Sequence, residues 1–378
     1  MKNSLIYFDN AATTRVFPEV AELMYESLLN NYGNPSSIHD VGRHARVEVE
    51  RARRTVAGLL NVRPGEVFFT SGGTESNNAI LWACCKDLGR KHFITSRLEH
   101  PSVLQTLLAL ERYMGCQVGF VKTDKKGLID LDHLEKLLKA TPAAVVSLMH
   151  ANNEIGNILP VNEVAALCKQ YGALFHSDTV QTVGKLEIDM QQLGVDFAVV
   201  SGHKFHGPKG VGAMYIRSGS GLEAFLQGGA QERNMRAGTE NVYGIVGMAR
   251  ALEMSCEEMT RVRESVKEIK DFLLEKLEEE IPGISFNGDA RGDSLHTILN
   301  ISLPLGVDAD LLLPRLDMAG ICISTGSACS SGSNKPSHVL TAMGIDQKIP
   351  NLRISFSRYN TLDEAKRLVE VLKEICKK

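Results

Sequence analysis

Four stretches carry residues able to do chemistry together. Ser71-Gly72-Gly73-Thr74-Glu75-Ser76 follows an apolar run and opens a helical pattern. A glycine turn at a helix N-terminus exposes backbone N–H groups, and the helix dipole favours an anion there. Thr74 and Ser76 add hydroxyl donors. The turn reads either as a phosphate cradle or as a plain glycine turn with an N-cap. It is not a nucleotide loop, because neither Gly-Lys-Ser/Thr nor Gly-x-Gly-x-x-Gly is present. His176 to Gln181 and Ser201-Gly202-His203-Lys204 each follow a β-rich run. Parallel sheets bind ligands outside the carboxyl ends of their strands. Asp178 and Lys204 could therefore face one another there, or serve as a helix cap and a solvated loop lysine. The fourth stretch, Ser324 to Ser333, is small, polar and rich in glycine, and it holds Cys329. A thiol in such a loop can ionise and attack. Cys84, Cys85, Cys168 and Cys322 sit in apolar patterns that fit buried, inert thiols.

The combination matters more than its parts. An anion cradle, a strand-end carboxylate and a strand-end amine are the three grips that pyridoxal phosphate requires. The amine forms a Schiff base with the aldehyde. The carboxylate keeps the pyridine nitrogen protonated, so that the ring accepts electrons from a carbanion.

These groups need rigid elements behind them. Ala45, Val49, Ala52, Val56 and Leu59 recur at helical spacing before Pro64-Gly65. Val67 to Thr70, Ala143 to Met149, Ala173 to His176 and Phe197 to Val200 read as strands, separated by stretches long enough for crossover helices. A mostly parallel sheet covered by helices is expected. From about Glu240 the texture changes. Residues 241–280 form one long helical pattern with an apolar stripe of Val262, Val266, Ile269, Leu273 and Leu277, stopped by Pro282-Gly283. Strands such as His296 to Ile301 and helices such as Leu362 to Cys376 follow, and predict a smaller α+β domain.

The 378 residues amount to roughly two domains of chain. Net charge is −3, from 42 basic and 45 acidic residues, which gives no footprint for nucleic acid or an anionic membrane surface. The eight cysteines include no C-x-x-C pair and no tight Cys/His cluster, which argues against a structural zinc or a disulfide framework. The apolar start, Leu5 to Phe8, is too short for a signal peptide, and no apolar run reaches the length of a membrane span. A cytoplasmic protein without direct nucleic-acid or membrane partners is expected.

Motifs spread through the whole chain in family order make the resemblance specific. They are Tyr7 to Thr14, Asn34 to His39, Thr70 to Asn78, Glu99-His100, Asn152 to Gly156, His176 to Gln181, Ser201 to Gly210, Arg236 to Thr239 and Ser324 to Ser331. The chain resembles the class V aminotransferase group of pyridoxal phosphate enzymes, and within it the NifS/IscS-type cysteine desulfurases. The resemblance implies a fold type I α/β architecture. It has a large domain, residues 16–255, with a mostly parallel seven-stranded sheet. A smaller α+β domain comprises residues 1–15 and 256–378 and carries the catalytic cysteine loop. It implies Lys204 as the Schiff-base lysine, Asp178 as the pyridinium partner and Gln181 as the contact to the ring hydroxyl. His100 is implied to stack on the ring and shuttle protons. Gly73, Thr74, Ser201 and His203 are implied at the phosphate, and Thr239 at the phosphate of a neighbouring subunit in a homodimer. Asn153 is implied beside the cofactor and, with Arg353, at the substrate carboxylate. Arg353 lies in an alternating strand pattern, and a guanidinium fork suits a carboxylate; an ordinary surface salt bridge is the alternative, as a hydrogen-bonded loop histidine is for His100.

In the resembling family the cysteine matching Cys329 takes sulfur from L-cysteine as a persulfide and leaves L-alanine. Ser-Ala-Cys-Ser-Ser in a long Gly/Ser/Asn loop resembles the long-loop branch, since Arg-x-Gly-His-His-Cys is absent. The acceptors implied are an iron–sulfur scaffold or a tRNA-thiolation protein. No resident metal is expected, only a transient contact of Cys329 with a nascent iron–sulfur cluster. His206 replaces a tyrosine common in the family and could alter the surroundings of Lys204. Other pyridoxal phosphate reactions, such as selenocysteine lysis or transamination, are rival readings, although transamination gives the loop cysteine no role. A non-catalytic sulfur relay on the same fold would be expected to have lost Lys204, Asp178 or Cys329, and all three are present.

Overall fold

The computed structural model describes residues 5–326 and 337–377. Cys329 lies outside them. Twelve strands occur among the described residues. They are β1 (Ile6–Tyr7), β2 (Val67–Thr70), β3 (His92–Thr95), β4 (Gln117–Phe120), β5 (Val145–Ser147), β6 (Leu174–Asp178), β7 (Phe197–Ser201), β8 (Gly212–Ile216), β9 (Ser285–Asn287), β10 (Ile298–Ser302), β11 (Ile321–Cys322) and β12 (Asn351–Ser355).

Seven strands form the main sheet, in the order β2-β8-β7-β6-β5-β3-β4. β7, β6, β5, β3 and β4 pair in parallel. β8 runs antiparallel to both of its neighbours. The connection from Ser201 to Gly212 has no room for a crossover helix, so the chain must turn back on itself there. β2, two reversals away from β7, points the same way as β7. The carboxyl ends of β2, β6 and β7 therefore meet at one edge.

Both faces of this sheet are covered, which explains its unbroken apolar runs. Phe197 and Val199 pack against one core with Ile80, Leu81, Val103 and Leu107. Ala198 and Val200 point the other way, into a core with Val49, Val56, Ile245 and Met248. This is the two-residue alternation of a strand buried on both sides. The helices Gly73–Lys86 and Pro101–Met114 cover the first face, and Asp40–Leu59 and Val242–Glu257 cover the second.

A separate core gathers Ile6 and Phe8 with residues from Val266 to Ile375. Its sheet, β12-β10-β9, is antiparallel, and the N-terminal β1 joins β11 in parallel. The helical pattern at 241–280 is two helices, Val242–Glu257 and Met259–Glu280. Glu258, at φ −105° and ψ 5°, breaks the run, and its carboxylate accepts from Arg358 and Arg261. Apolar periodicity continues across the break, which is why the sequence reads as one helix. Of the cysteines expected to be buried, Cys84, Cys85 and Cys168 are, whereas Cys322 is only half-buried.

Candidate active site

A cavity opens where the carboxyl edge of the large sheet meets β12 of the second core. Gly73, Thr74, His100, Asn153, Asp178, Gln181, Ser201, His203, Lys204 and Arg353 all line it. Ten residues scattered over most of the chain are thus brought to one place. Thr239 is not among them. It lines a separate cavity beside Ser71 and Arg236.

The loop after β2 is built for close approach. Gly72 sits at φ +147°, in the region that side chains avoid. Gly212 lies beneath it, and a Cβ there would come within 2.7 Å of Gly72 Cα. β8 can press against the loop only because residue 212 is glycine, while glycine at 72 permits the loop's backbone angle. Gly73 and Thr74, the first residues of Gly73–Lys86, line the cavity, which puts the helix N-terminus at its edge. The Ser76 hydroxyl is not available there, contrary to the sequence reading. It bonds Thr70 Oγ1 at 2.8 Å and Gly72 O at 3.1 Å inside the loop. Glu75 accepts from Ser71 N at 2.9 Å and pairs with Arg236 at 2.8 Å, which ties the loop to the 236–239 segment.

Asp178 ends β6 and is buried. Its Oδ1 accepts from Val180 N at 3.0 Å and its Oδ2 from Asn77 Nδ2 at 2.8 Å. The carboxylate is thus fixed in one orientation at the strand end. Asn77 Nδ2 also reaches Ser102 Oγ at 2.8 Å, and Ser102 Oγ lies 2.7 Å from His100 Nδ1. The Ser102 N–H donates to the same Nδ1 at 3.1 Å. An acceptor nitrogen carries no proton, so in the neutral ring the proton resides on Nε2. Burial pushes the His100 pKa down; Asp178 opposes this, while Lys204 and His338 reinforce it. His100 therefore stands as a neutral imidazole whose Nε2 is its working nitrogen.

Lys204 lies in the turn after β7. Its Nζ donates to Ala11 O at 2.6 Å and Ala12 O at 2.8 Å. Gln181 Nε2 shares the Ala11 carbonyl at 3.1 Å, and its Oε1 accepts from Lys185 Nζ at 2.9 Å. His203 contacts Thr13 Oγ1 at 3.2 Å, and burial, helped by Lys204, takes its pKa down to about 3. It is a neutral hydrogen-bonding group at pH 7. His206 stacks on Phe17 at 4.5 Å and bonds Arg15 O through Nδ1 at 2.8 Å, and it lines a second cavity together with Lys204.

Arg353 is 1% exposed. Its Nη2 donates to Asp9 Oδ1 and Ser324 Oγ, each at 2.9 Å, and its Nη1 to Asn153 O at 3.1 Å. Among the described residues its Nε is buried without a partner. The pair with Asp9 is buried and so is not the ordinary surface salt bridge expected as the alternative; the guanidinium lines the cavity, and the bonds to Asp9, Ser324 and Asn153 use three of its five N–H groups. Main-chain carbonyls, Asn77, Ser102 and Lys185 were not found from sequence. Backbone groups leave no residue signature, and a serine two residues after a histidine is uninformative until the helix start is known.

Residues 6–368 match the model of the aminotransferase class-V family. The chain belongs to that family. It is 41% identical over 99% of its length to cysteine desulfurase IscS of Dictyoglomus turgidum, covering 95% of that protein. It is 41% identical to cysteine desulfurase IscS of Methanosarcina thermophila, over all of this chain and 93% of that one. Among solved structures, a NifS-like protein superposes with a TM-score of 0.90 at 39% identity, covering 98% of this chain and 99% of that one. SspA in complex with cysteine gives 0.81 at 33% identity, covering 94% and 100%.

The family's cofactor is pyridoxal 5′-phosphate, and the chain depends on it. The donor set fits. A helix N-terminus with Thr74, Ser201 and a neutral His203 suits a phosphate, the fixed Asp178 carboxylate suits a protonated pyridine nitrogen, and Lys204 supplies the amine.

Proposed function

We propose that this chain is a pyridoxal phosphate-dependent cysteine desulfurase that converts L-cysteine to L-alanine and passes the sulfur to Cys329. The observation that carries it is the convergence of Lys204, Asp178 and the Gly73-Thr74 helix start on one cavity with Arg353. When bound, the cofactor supplies the electron sink that weakens bonds at the substrate Cα. Lys204 holds its aldehyde end, Asp178 its ring nitrogen, and Gly73, Thr74, Ser201 and His203 its phosphate. Gln181 donates to the ring hydroxyl. His100 covers the ring face and exchanges protons through Nε2. Asn153 and the Arg353 fork hold the substrate carboxylate.

Cys329 as thiolate attacks the substrate sulfur. The carbon–sulfur bond breaks, a sulfur–sulfur bond forms, and L-alanine leaves after a proton reaches its Cβ. The persulfide then passes to an acceptor protein of iron–sulfur assembly or tRNA thiolation. A homodimer, in which Thr239 reaches the partner's phosphate, accounts for Thr239 lying outside the cavity. The proposed division is into residues 16–255 and residues 1–15 with 256–378; the packing of Ile6 and Phe8 with residues from Val266 onward supports it.

The test is alanine formation from L-cysteine by the wild type and by Cys329→Ala. The variant should keep the yellow cofactor band and lose sulfide release. Undiminished sulfide release would refute Cys329 as the sulfur acceptor. A protein that stays colourless after addition of cofactor would refute the whole reading.

A further inference from the structure

We infer that Lys185 is a positioning residue that fixes the Gln181 carboxamide with its N–H towards the cofactor ring and thereby sets the proton affinity of the cofactor bound at Lys204. Lys185 lies outside the cavity already described. It lines the cavity behind it, with Lys204, His206 and His296. Its Nζ is 2.9 Å from Gln181 Oε1.

The direction of that contact decides the argument. A protonated lysine amine only donates, so the amide atom facing the Lys185 ammonium is oxygen. The Gln181 NH2 is thereby turned the other way. One of its hydrogens reaches Ala11 O at 3.1 Å. The second is left for the cavity, where a ring hydroxyl needs a donor. The Ala11 carbonyl, with two lone pairs, accepts this hydrogen together with Lys204 Nζ at 2.6 Å, so this end of the grip is shared with Lys204. The amide is therefore gripped at both ends, and Lys185 is the end independent of Lys204.

The surroundings of Lys185 are costly for a cation. Burial takes its pKa down to about 7, and the charged groups acting on it, Lys204 and Arg353, are both cationic. Its field in turn lowers His203, His206 and His296. A group with this environment is not a solvated surface lysine. It acts on the site in two ways of the same sign. The oriented Gln181 donor would stabilise an anionic ring oxygen, and the Lys185 charge, where the amine is protonated, would disfavour a proton on the nitrogen that joins the cofactor to Lys204. Both lower the pH at which the visible band of the bound cofactor titrates.

The inference rests on the Gln181 role proposed above, so the test separates the two. The holoenzyme is titrated from pH 6 to 10 and the midpoint of the visible band recorded, with the cofactor dissociation constant measured beside it. Gln181→Ala should raise the midpoint. Lys185→Met should raise it by roughly half a unit or more. Lys185→Arg should restore most of the wild-type value. Lys185→Gln, which keeps a donor and drops the charge, should fall between them, and it carries the test if the Met variant does not fold. In the Gln181→Ala background, Lys185→Met should add clearly less than it does alone. An unmoved midpoint in Gln181→Ala would overturn both the Gln181 role and this inference. A shift there, with none in Lys185→Met or an undiminished one in the double variant, would overturn the Lys185 inference alone.

Discussion

At the residue scale, the site works by holding groups in defined protonation states. His100 is kept neutral by burial, and Ser102 assigns its proton to Nε2. A group whose pKa is lowered gains its proton only below the ordinary histidine value of ~6.5. The acid limb of kcat should therefore fall below ~6.5 and disappear as a distinct limb in His100→Gln, with kcat itself lowered by ~10²–10⁴. A limb of unchanged position in that variant would assign it to another group. Arg353 offers a different readout. Arg353→Lys keeps a positive charge near Asp9, so the fold is spared, but it removes the fork and the unpaired Nε. Losing one charge-assisted bond costs ~1.5–3 kcal/mol, so KM for L-cysteine should rise ~10–100-fold while the cofactor spectrum stays put. An equal loss in kcat at constant KM would argue against carboxylate binding.

At the element scale, the 231–241 segment is held by an unusual device. Glu232, Arg233 and Asn234 all have positive φ, at 46°, 57° and 65°. Three such residues in succession are strained, by order 1–3 kcal/mol each. Arg53 holds them down. It is 2% exposed, grips both Glu232 carboxylate oxygens at 2.7 Å, and packs over the Phe69 ring. Removing one partner of a buried pair strands the other charge, which costs ~3–5 kcal/mol. Arg53→Met should lower the melting temperature clearly and loosen residues 232–241, read as faster amide exchange in that segment. A melting temperature within a degree of wild type would show that the strain is relieved elsewhere. Asp178 and Lys204 were legible in the sequence because an apolar run that ends in a polar residue marks a strand end. The loop after β2 was legible through its glycines. The helix break at Glu258 was hidden, since apolar spacing persists on both sides of it. The antiparallel β8 was hidden as well, because strand direction follows from connection length and leaves no mark in composition. Lys185 was invisible for a third reason: nothing in Gly184-Lys185-Leu186 tells a buried amine from an exposed one.

At the scale of the whole molecule, the cost of seating neutral histidines becomes a property of stability. Burial lowers His150, His176 and His206 to about 4 and His203 and His296 to about 3. In the unfolded chain each would titrate near ~6.5. Between these values the unfolded state binds protons that the folded state refuses, so stability rises with pH across that window and is lost on acidification. Glu99 works against this. Burial raises its pKa to about 8, so the folded state keeps a proton that the unfolded chain has released above the usual carboxylate range. Lys185 and Lys270, lowered to about 7 and about 8, are partly deprotonated in the folded state near pH 7 and add a small slope of the same sign as the histidines there, which fades towards pH 5. Five groups against one leave a net loss on the order of 5 kcal/mol between pH 7 and pH 5. That is comparable to the whole stability of many domains. The melting temperature should fall steeply over those two units, and unfolding at pH 5.5 should take up several protons, measurable by calorimetry in buffers of different ionisation enthalpy. His296→Asn, which removes one refused proton, should shallow the slope. A melting temperature flat from pH 7 to pH 5 would mean that these imidazoles are charged in the folded protein, and the neutral His203 assigned to the phosphate would fall with them.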